Sequence, residues 1–170
     1  LAPEIAIQEE AIDMVCIGDG EHSITELCQK MMAGEDYSNV QNLWIKRDDK
    51  IIKNKVNSNH NLDDLVVPDF SDFKDHMFYR PMQGNFFKTV PVELARGCPY
   101  ECAFCSEPAL LGQFSKKFFR QKSIPRAKFE LEQIVEKFSP EFIYFVSETF
   151  LAVTSRYFEE FIEAYKDIKI

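Results

Sequence analysis

Cys98, Cys102 and Cys105 fall within the run Arg96-Gly-Cys-Pro-Tyr-Glu-Cys-Ala-Phe-Cys-Ser106, with three residues between the first pair and two between the second. No other feature restricts the fold so strongly. Three thiols this close in sequence belong to a loop that wraps a shared object, and the elements on either side must open onto that loop. A closed iron-sulfur cluster or a structural zinc site takes four protein ligands. Three therefore leave one coordination position open, and an open position is where chemistry can occur.

The segment before the loop, Lys88-Thr-Val-Pro-Val-Glu-Leu-Ala95, alternates and is rich in β-branched residues, which predicts a strand running straight into it. Pro91 cannot donate to a ladder, so it fits an edge or early strand position. Gly97 precedes the first cysteine, where the lack of a Cβ lets backbone approach a bulky inorganic group. A helix is expected from an N-cap at Ser123, with Ala127, Leu131, Ile134, Val135 and Phe138 along one face. Residues 142–146 read as a strand, and Thr154 or Ser155 caps a helix carrying Phe158, Phe161, Ile162 and Tyr165. This alternation of strand and helix predicts parallel strands with crossover helices, the start of an α/β barrel or open sheet. Sites in such folds gather at the carboxyl ends of the strands. The cysteine loop and Ser147-Glu148-Thr149 both fall there.

Upstream, residues 12–17 predict a buried strand, Gly18 to Glu21 a tight turn, and residues 21–32 a helix with Ile24, Leu27, Cys28 and Met31 at helical spacing. A hairpin follows, with strands at 40–46 and 51–53 and a turn at 47–50. Residues 54–84 are rich in Asn, Asp, Ser and Pro and read as a connector. Cys16, in an apolar run, and Cys28, on the apolar side of the helix, are expected to be packed core residues.

A strand followed by Cys-x-x-x-Cys-x-aromatic-Cys resembles the signature of the radical S-adenosylmethionine (radical SAM) enzymes. The resemblance implies that Cys98, Cys102 and Cys105 hold three irons of a 4Fe-4S cluster, that S-adenosylmethionine chelates the fourth, and that Phe104 lies beside its adenine. In that family a Gly-Gly-Glu-like stretch at the second strand end contacts the amino group of S-adenosylmethionine. Val146-Ser147-Glu148 keeps the acid without the glycines, and a helix-capping role for Glu148 stands beside the cofactor role. The first part of the chain, Ile12-Asp-Met-Val-Cys-Ile-Gly-Asp-Gly-Glu21 with the connector Asn61-Leu-Asp-Asp-Leu-Val-Val-Pro-Asp-Phe70, is similar to the end of the cobalamin-binding domain found upstream of many radical SAM barrels. Gly18, Gly20 and Glu21 would then meet the nucleotide tail of cobalamin; an ordinary strand-to-helix turn reads the same residues equally well.

The resemblance implies a fold of class α/β: the end of a Rossmann-like cobalamin-binding domain at 1–53, a linker at 54–84, and the first strand-helix units of a partial radical SAM barrel at 85–170. It also implies a reducing partner such as a flavodoxin or ferredoxin and a small-molecule or peptide substrate. The absence of an initiator methionine is read as the mark of a fragment, expected to be inactive alone.

Composition narrows the classes. A formal charge of -8 disfavours general nucleic-acid binding, which needs clustered Lys and Arg. One stretch departs from this: Lys116, Lys117, Arg120, Lys122, Arg126 and Lys128 form a basic run, read either as a solvated helix approach or as a wall for an anionic group. No apolar run reaches the roughly 18 residues of a membrane span. Five cysteines, three of them clustered, do not form a secreted disulfide pattern, so a cytoplasmic location is expected. Two alternatives stay open. A methylthiotransferase-like radical SAM enzyme shares the cysteine spacing but carries a second cysteine set upstream. A zinc-binding interaction module would need a fourth ligand, with His60 and His76 the nearest upstream histidines.

Overall fold

The computed structural model describes residues 2–57, 60–109 and 119–170. The chain divides into two units, Leu1–His60 with Tyr100–Phe118, and Asn61–Pro99 with Phe119–Ile170.

The first unit holds helix α1 (Pro3–Ala6), strand β1 (Met14–Cys16), helix α2 (Glu21–Ala33) and strands β2 (Leu43–Arg47) and β3 (Lys50–Lys53). The strands form an antiparallel sheet in the order β1-β2-β3. Asp48 and Asp49 both take positive φ, 50° and 59°, so two residues close the hairpin and Arg47 pairs with Lys50. That conformation matches the twist of the flanking strands, and the turn is tighter than the expected 47–50. Leu27, Val40, Leu43 and Ile45 make the core.

Cys16 and Cys28 are both exposed, which corrects their expected place in the core. Strand β1 is three residues long and lies at the sheet edge. Helix α2 buries Ser23 and Leu27, and Cys28 lies one residue, or about 100°, further round the helix. Ile24 and Met31 are also more than half exposed. The predicted apolar face of α2 thus meets the core at Leu27.

The second unit holds β4 (Tyr79–Met82), β5 (Asn85–Glu93), β6 (Ala95–Arg96), β7 (Arg120–Gln121), α3 (Ile124–Phe138), β8 (Phe142–Val146) and α4 (Ser155–Tyr165). Strand β5 pairs antiparallel with β4 through Asn85–Lys88, then parallel with β8 through Thr89–Glu93. The parallel pair is joined by α3, as the alternation predicts. Pro91 sits in the middle strand of three, yet among the described residues its stretch pairs with β8 alone, because β4 ends its pairing at Lys88. The edge requirement of proline is met locally.

Period-two alternation splits the β5–β8 sheet into two faces. Val90, Val92 and Ile143 turn to the core with Ala127, Leu131 and Ile134 of α3 and Tyr157 and Phe161 of α4. Thr89, Pro91, Phe142, Tyr144 and Val146 line the opposite face, a concavity of about 460 Å³ that Arg80, Pro81 and Met82 complete. The helices start where expected: the Ser123 hydroxyl accepts from the Arg126 amide and the Thr154 hydroxyl from the Tyr157 amide. Among the described residues no helix is long and apolar enough to cross a membrane.

Lys122 and Glu130 form a buried ion pair, with Nζ 2.8 and 2.7 Å from the two carboxylate oxygens. Truncating Glu130 to Ala leaves an uncompensated buried ammonium, with an expected loss of about 3–5 kcal/mol, whereas Lys122→Met combined with Glu130→Leu costs far less. Urea denaturation of the two variants checks this. The Tyr157 hydroxyl donates to the Lys122 carbonyl oxygen at 2.8 Å. Burial, and secondarily the Asp63 carboxylate, pushes its phenol up to about 12 from 10.0. The folded value is raised, so this contribution to stability is complete below pH about 10 and lost as pH rises through about 12. Tyr157→Phe is expected to flatten that alkaline limb in pH-dependent unfolding.

Candidate functional site

Strands β5 and β8 run parallel, so their carboxyl ends lie together, and the chain leaves β5 there into the cysteine loop. The exit is held from several sides. Glu93 and Arg96 form a two-pronged ion pair, Nε to Oε1 at 3.0 Å and one terminal nitrogen to Oε2 at 2.8 Å. Bidentate geometry of this kind fixes direction as well as distance. The Leu94 carbonyl accepts from the Lys122 amide at 2.9 Å, and Ala95 and Arg96 pair with Gln121 and Arg120. Gly97 then turns the chain at φ 83°, a conformation that strains residues with a Cβ. Its amide donates to Glu148 Oε2 at 3.0 Å, from just beyond the end of β8.

Cys98, directly after this turn, is buried; Cys102 and Cys105 are exposed, and all three are free thiols. The Cys105 amide donates to the Cys102 carbonyl oxygen at 3.0 Å, forming a tight turn whose tip carries Phe104, 94% exposed. Cys98 belongs to the second unit, Cys102, Phe104 and Cys105 to the first. The structure brings Glu148 to the residue before Cys98. Among the described residues no group of three or more His, Cys, Asp or Glu converges closely enough to hold a metal ion.

Gly18 and Gly20 lie between β1 and α2, and Glu21 opens α2. Gly18 takes φ 87°, while Gly20 is the N-cap of α2 at φ -95°, and a Cβ there would meet the Cys16 sulfur at 3.7 Å. The glycine requirement therefore falls on Gly18. Partial burial pushes the Cys16 thiol up; a hydrogen bond with Ser23 opposes this, and the Glu21 and Asp19 charges add to it. The rings of His22 and His60 lie 4.2 Å apart between centroids, tilted by 49°.

Asn42, which the sequence reading passed over, organises this turn. It is 1% exposed and takes φ 66°. Its amide nitrogen donates to the carbonyls of Asp19 at 3.1 Å and Asn57 at 2.9 Å, and its side-chain oxygen accepts from the Asn57 amide. An asparagine before a strand is a weak signal, because its left-handed backbone and its partners become visible only in three dimensions.

Three described members of the basic run have acceptors within the protein. Lys122 is consumed by Glu130, Arg126 donates to the Leu65 carbonyl, and Lys128 pairs with Asp167 at 2.7 Å. Lys116 and Lys117 lie outside the described residues.

The donor set suits an iron-sulfur group in its chemistry: three free thiols in one short loop, entered by a glycine turn. Ser147 Oγ, at the neighbouring strand end, is buried and has no hydrogen-bond partner among the described residues, as expected of a group that a bound molecule would satisfy.

No protein-family profile matches the chain. An uncharacterized methyltransferase of Pyrococcus horikoshii is 28% identical over 153 residues, 87% of this chain and 31% of that protein. An anaerobic magnesium-protoporphyrin IX monomethyl ester cyclase of Synechocystis is 26% identical over 106 residues, 61% of this chain and 20% of the cyclase. The chain thus spans about a third or less of these relatives. Among solved structures, the cobalamin-dependent S-adenosylmethionine radical enzyme OxsB, with aqua-cobalamin and S-adenosylmethionine bound, matches 99% of this chain and 23% of its own at a TM-score of 0.67 and 16% identity. The radical S-adenosylmethionine methyltransferase TsrM of Kitasatospora setae, determined with cobalamin and a [4Fe-4S] cluster, matches 95% of this chain and 30% of its own at 0.57 and 13%. Over nearly its whole length the chain shares the fold of the matched part, about a quarter to a third, of these two solved structures.

Replacing Asn42 by Ala removes the partners of three backbone groups and places a Cβ-bearing, non-Asn residue in the left-handed region. The expected cost is about 3 kcal/mol, checked by the shift in urea midpoint at unchanged slope.

Proposed function

We propose that this chain is a segment of a cobalamin-dependent radical SAM enzyme, with residues 1–53 ending a cobalamin-binding domain, 54–84 linking, and 85–170 beginning the barrel. In this reading Cys98, Cys102 and Cys105 are the ligands of a 4Fe-4S cluster. When bound, such a cluster supplies the electron that cleaves S-adenosylmethionine to methionine and a 5'-deoxyadenosyl radical. The observation that carries the reading is the departure of the three-thiol loop from the carboxyl end of a parallel strand pair, beside a second strand end bearing Glu148.

The chain's own residues have positioning work. Glu93, Arg96 and Gly97 aim the loop, and the burial of Cys98 keeps one ligand away from bulk water, while Cys102 and Cys105 stay accessible for loading. Phe104 offers an exposed aromatic face for adenine. The concave face with Thr89, Tyr144 and Arg80 is the lumen side on which a substrate would lie. Gly18, Gly20 and Glu21 are assigned to the cobalamin tail, since Gly18 leaves backbone accessible at a strand end. Methyl transfer is the reaction class favoured by the methyltransferase relative, and a flavodoxin or ferredoxin would supply the reducing electron.

Anaerobic reconstitution with iron and sulfide is expected to give a brown, reducible protein with about four irons per chain, and Cys→Ser at position 98, 102 or 105 is expected to abolish it. Stoichiometric, colourless zinc uptake with no iron-sulfur absorbance would instead favour an interaction module. For cobalamin, the full-length natural protein is expected to retain a corrinoid on purification; a corrinoid-free protein that still loads its cluster would retain the radical reading and remove methyl transfer.

A further inference from the structure

The Glu148 carboxylate is already engaged. Its Oε2 accepts the Gly97 amide at 3.0 Å across a separation of 51 residues, joining the end of β8 to the residue before Cys98. The other restraints on this corner act earlier in the chain: the Lys122 amide on the Leu94 carbonyl, the short β6–β7 ladder on Ala95 and Arg96, and the Glu93 side chain on Arg96. Among the described residues, Glu148 is what reaches the turn itself. Gly97 has φ 83°, and a glycine there has more backbone freedom to lose than any other residue. An ionised acceptor makes a hydrogen bond roughly twice as strong as a neutral one, which suits it to holding such a flexible position.

We propose that Glu148 is a positioning residue for the cysteine loop: it fastens the Gly97 amide to the end of β8 and thereby fixes the backbone from which the Cys98 thiol is presented. This rests on the reading of the loop as a cluster site, and it gives the acid a structural partner in place of the amino group of a bound cofactor. The presence of Ser147 where the resemblance has a glycine is compatible with it, because the restraint needs a side-chain acceptor oxygen at position 148 and not a bare strand end.

The test is amide hydrogen exchange of the metal-free chain, followed by NMR at Gly97 and referenced to Val90 and Val92 in β5. In Glu148→Ala, Gly97 is expected to exchange about tenfold faster or more, while the reference amides keep their rates; Glu148→Gln, which retains an acceptor oxygen, is expected to stay within about threefold of the natural protein. Should the Ala variant unfold, Glu148→Asp, one methylene too short for the contact, takes its place with the same expectation. A Gly97 rate unchanged in the Ala variant, or in the Asp variant where it takes its place, would overturn the proposal, and is the result expected if Glu148 serves a bound cofactor alone. Because exchange is read without iron, a natural protein that fails to load a cluster would count against the proposed function and not against this restraint.

Discussion

The parallel ladder of Thr89–Glu93 on Phe142–Val146 organises the second unit. Parallel strands cannot be joined by a tight turn, so the chain must cross over through a helix, and α3 covers one face of the sheet as a result. Burying Val90, Val92 and Ile143 beneath α3 and α4 leaves Thr89, Pro91 and Tyr144 on the concave side. The same pairing brings both carboxyl ends to one edge. A loop leaving β5 and an acid following β8 therefore become neighbours, although 51 residues separate Gly97 from Glu148.

Around that edge several charged and polar groups are paired, while the Ser147 hydroxyl has no partner among the described residues. Glu93 takes Arg96, Glu130 takes Lys122, and Tyr157 takes the Lys122 carbonyl. A buried ion pair is weak evidence for stability, since desolvation offsets its attraction. Here it has a positional consequence: Lys122 is also the residue whose amide holds Leu94, so the pair anchors the strand end that feeds the cysteine loop.

Much of this was legible from local signals. The caps at Ser123 and Thr154, the apolar stripe of α3 and the run at 142–146 each depend on near neighbours in sequence, and each appears where the sequence indicated. The cysteine spacing was legible for the same reason. What was not legible depends on distant partners. Strand β4 lies within the stretch 54–84 read as a connector, where Pro81 obscures it; Gln83 and Gly84, both at positive φ, fold it back on β5. Cys16 and Cys28 looked like core residues because their surroundings are apolar, but burial depends on what packs against β1 and α2 and not on their own composition. Asn42 and the tie between Glu148 and Gly97 are long-range hydrogen bonds that no periodicity announces.

In the proposed centre, three thiolates hold an iron-sulfur group with one corner left for a cofactor. Mössbauer spectroscopy of the anaerobically reconstituted, iron-57-labelled chain, recorded with and without S-adenosylmethionine, tests it most directly. A cluster so held is expected to have roughly one iron in four distinct, changing its signal when the cofactor is added. Four equivalent irons that ignore the cofactor, or no cluster iron at all with the three cysteines intact, would contradict it.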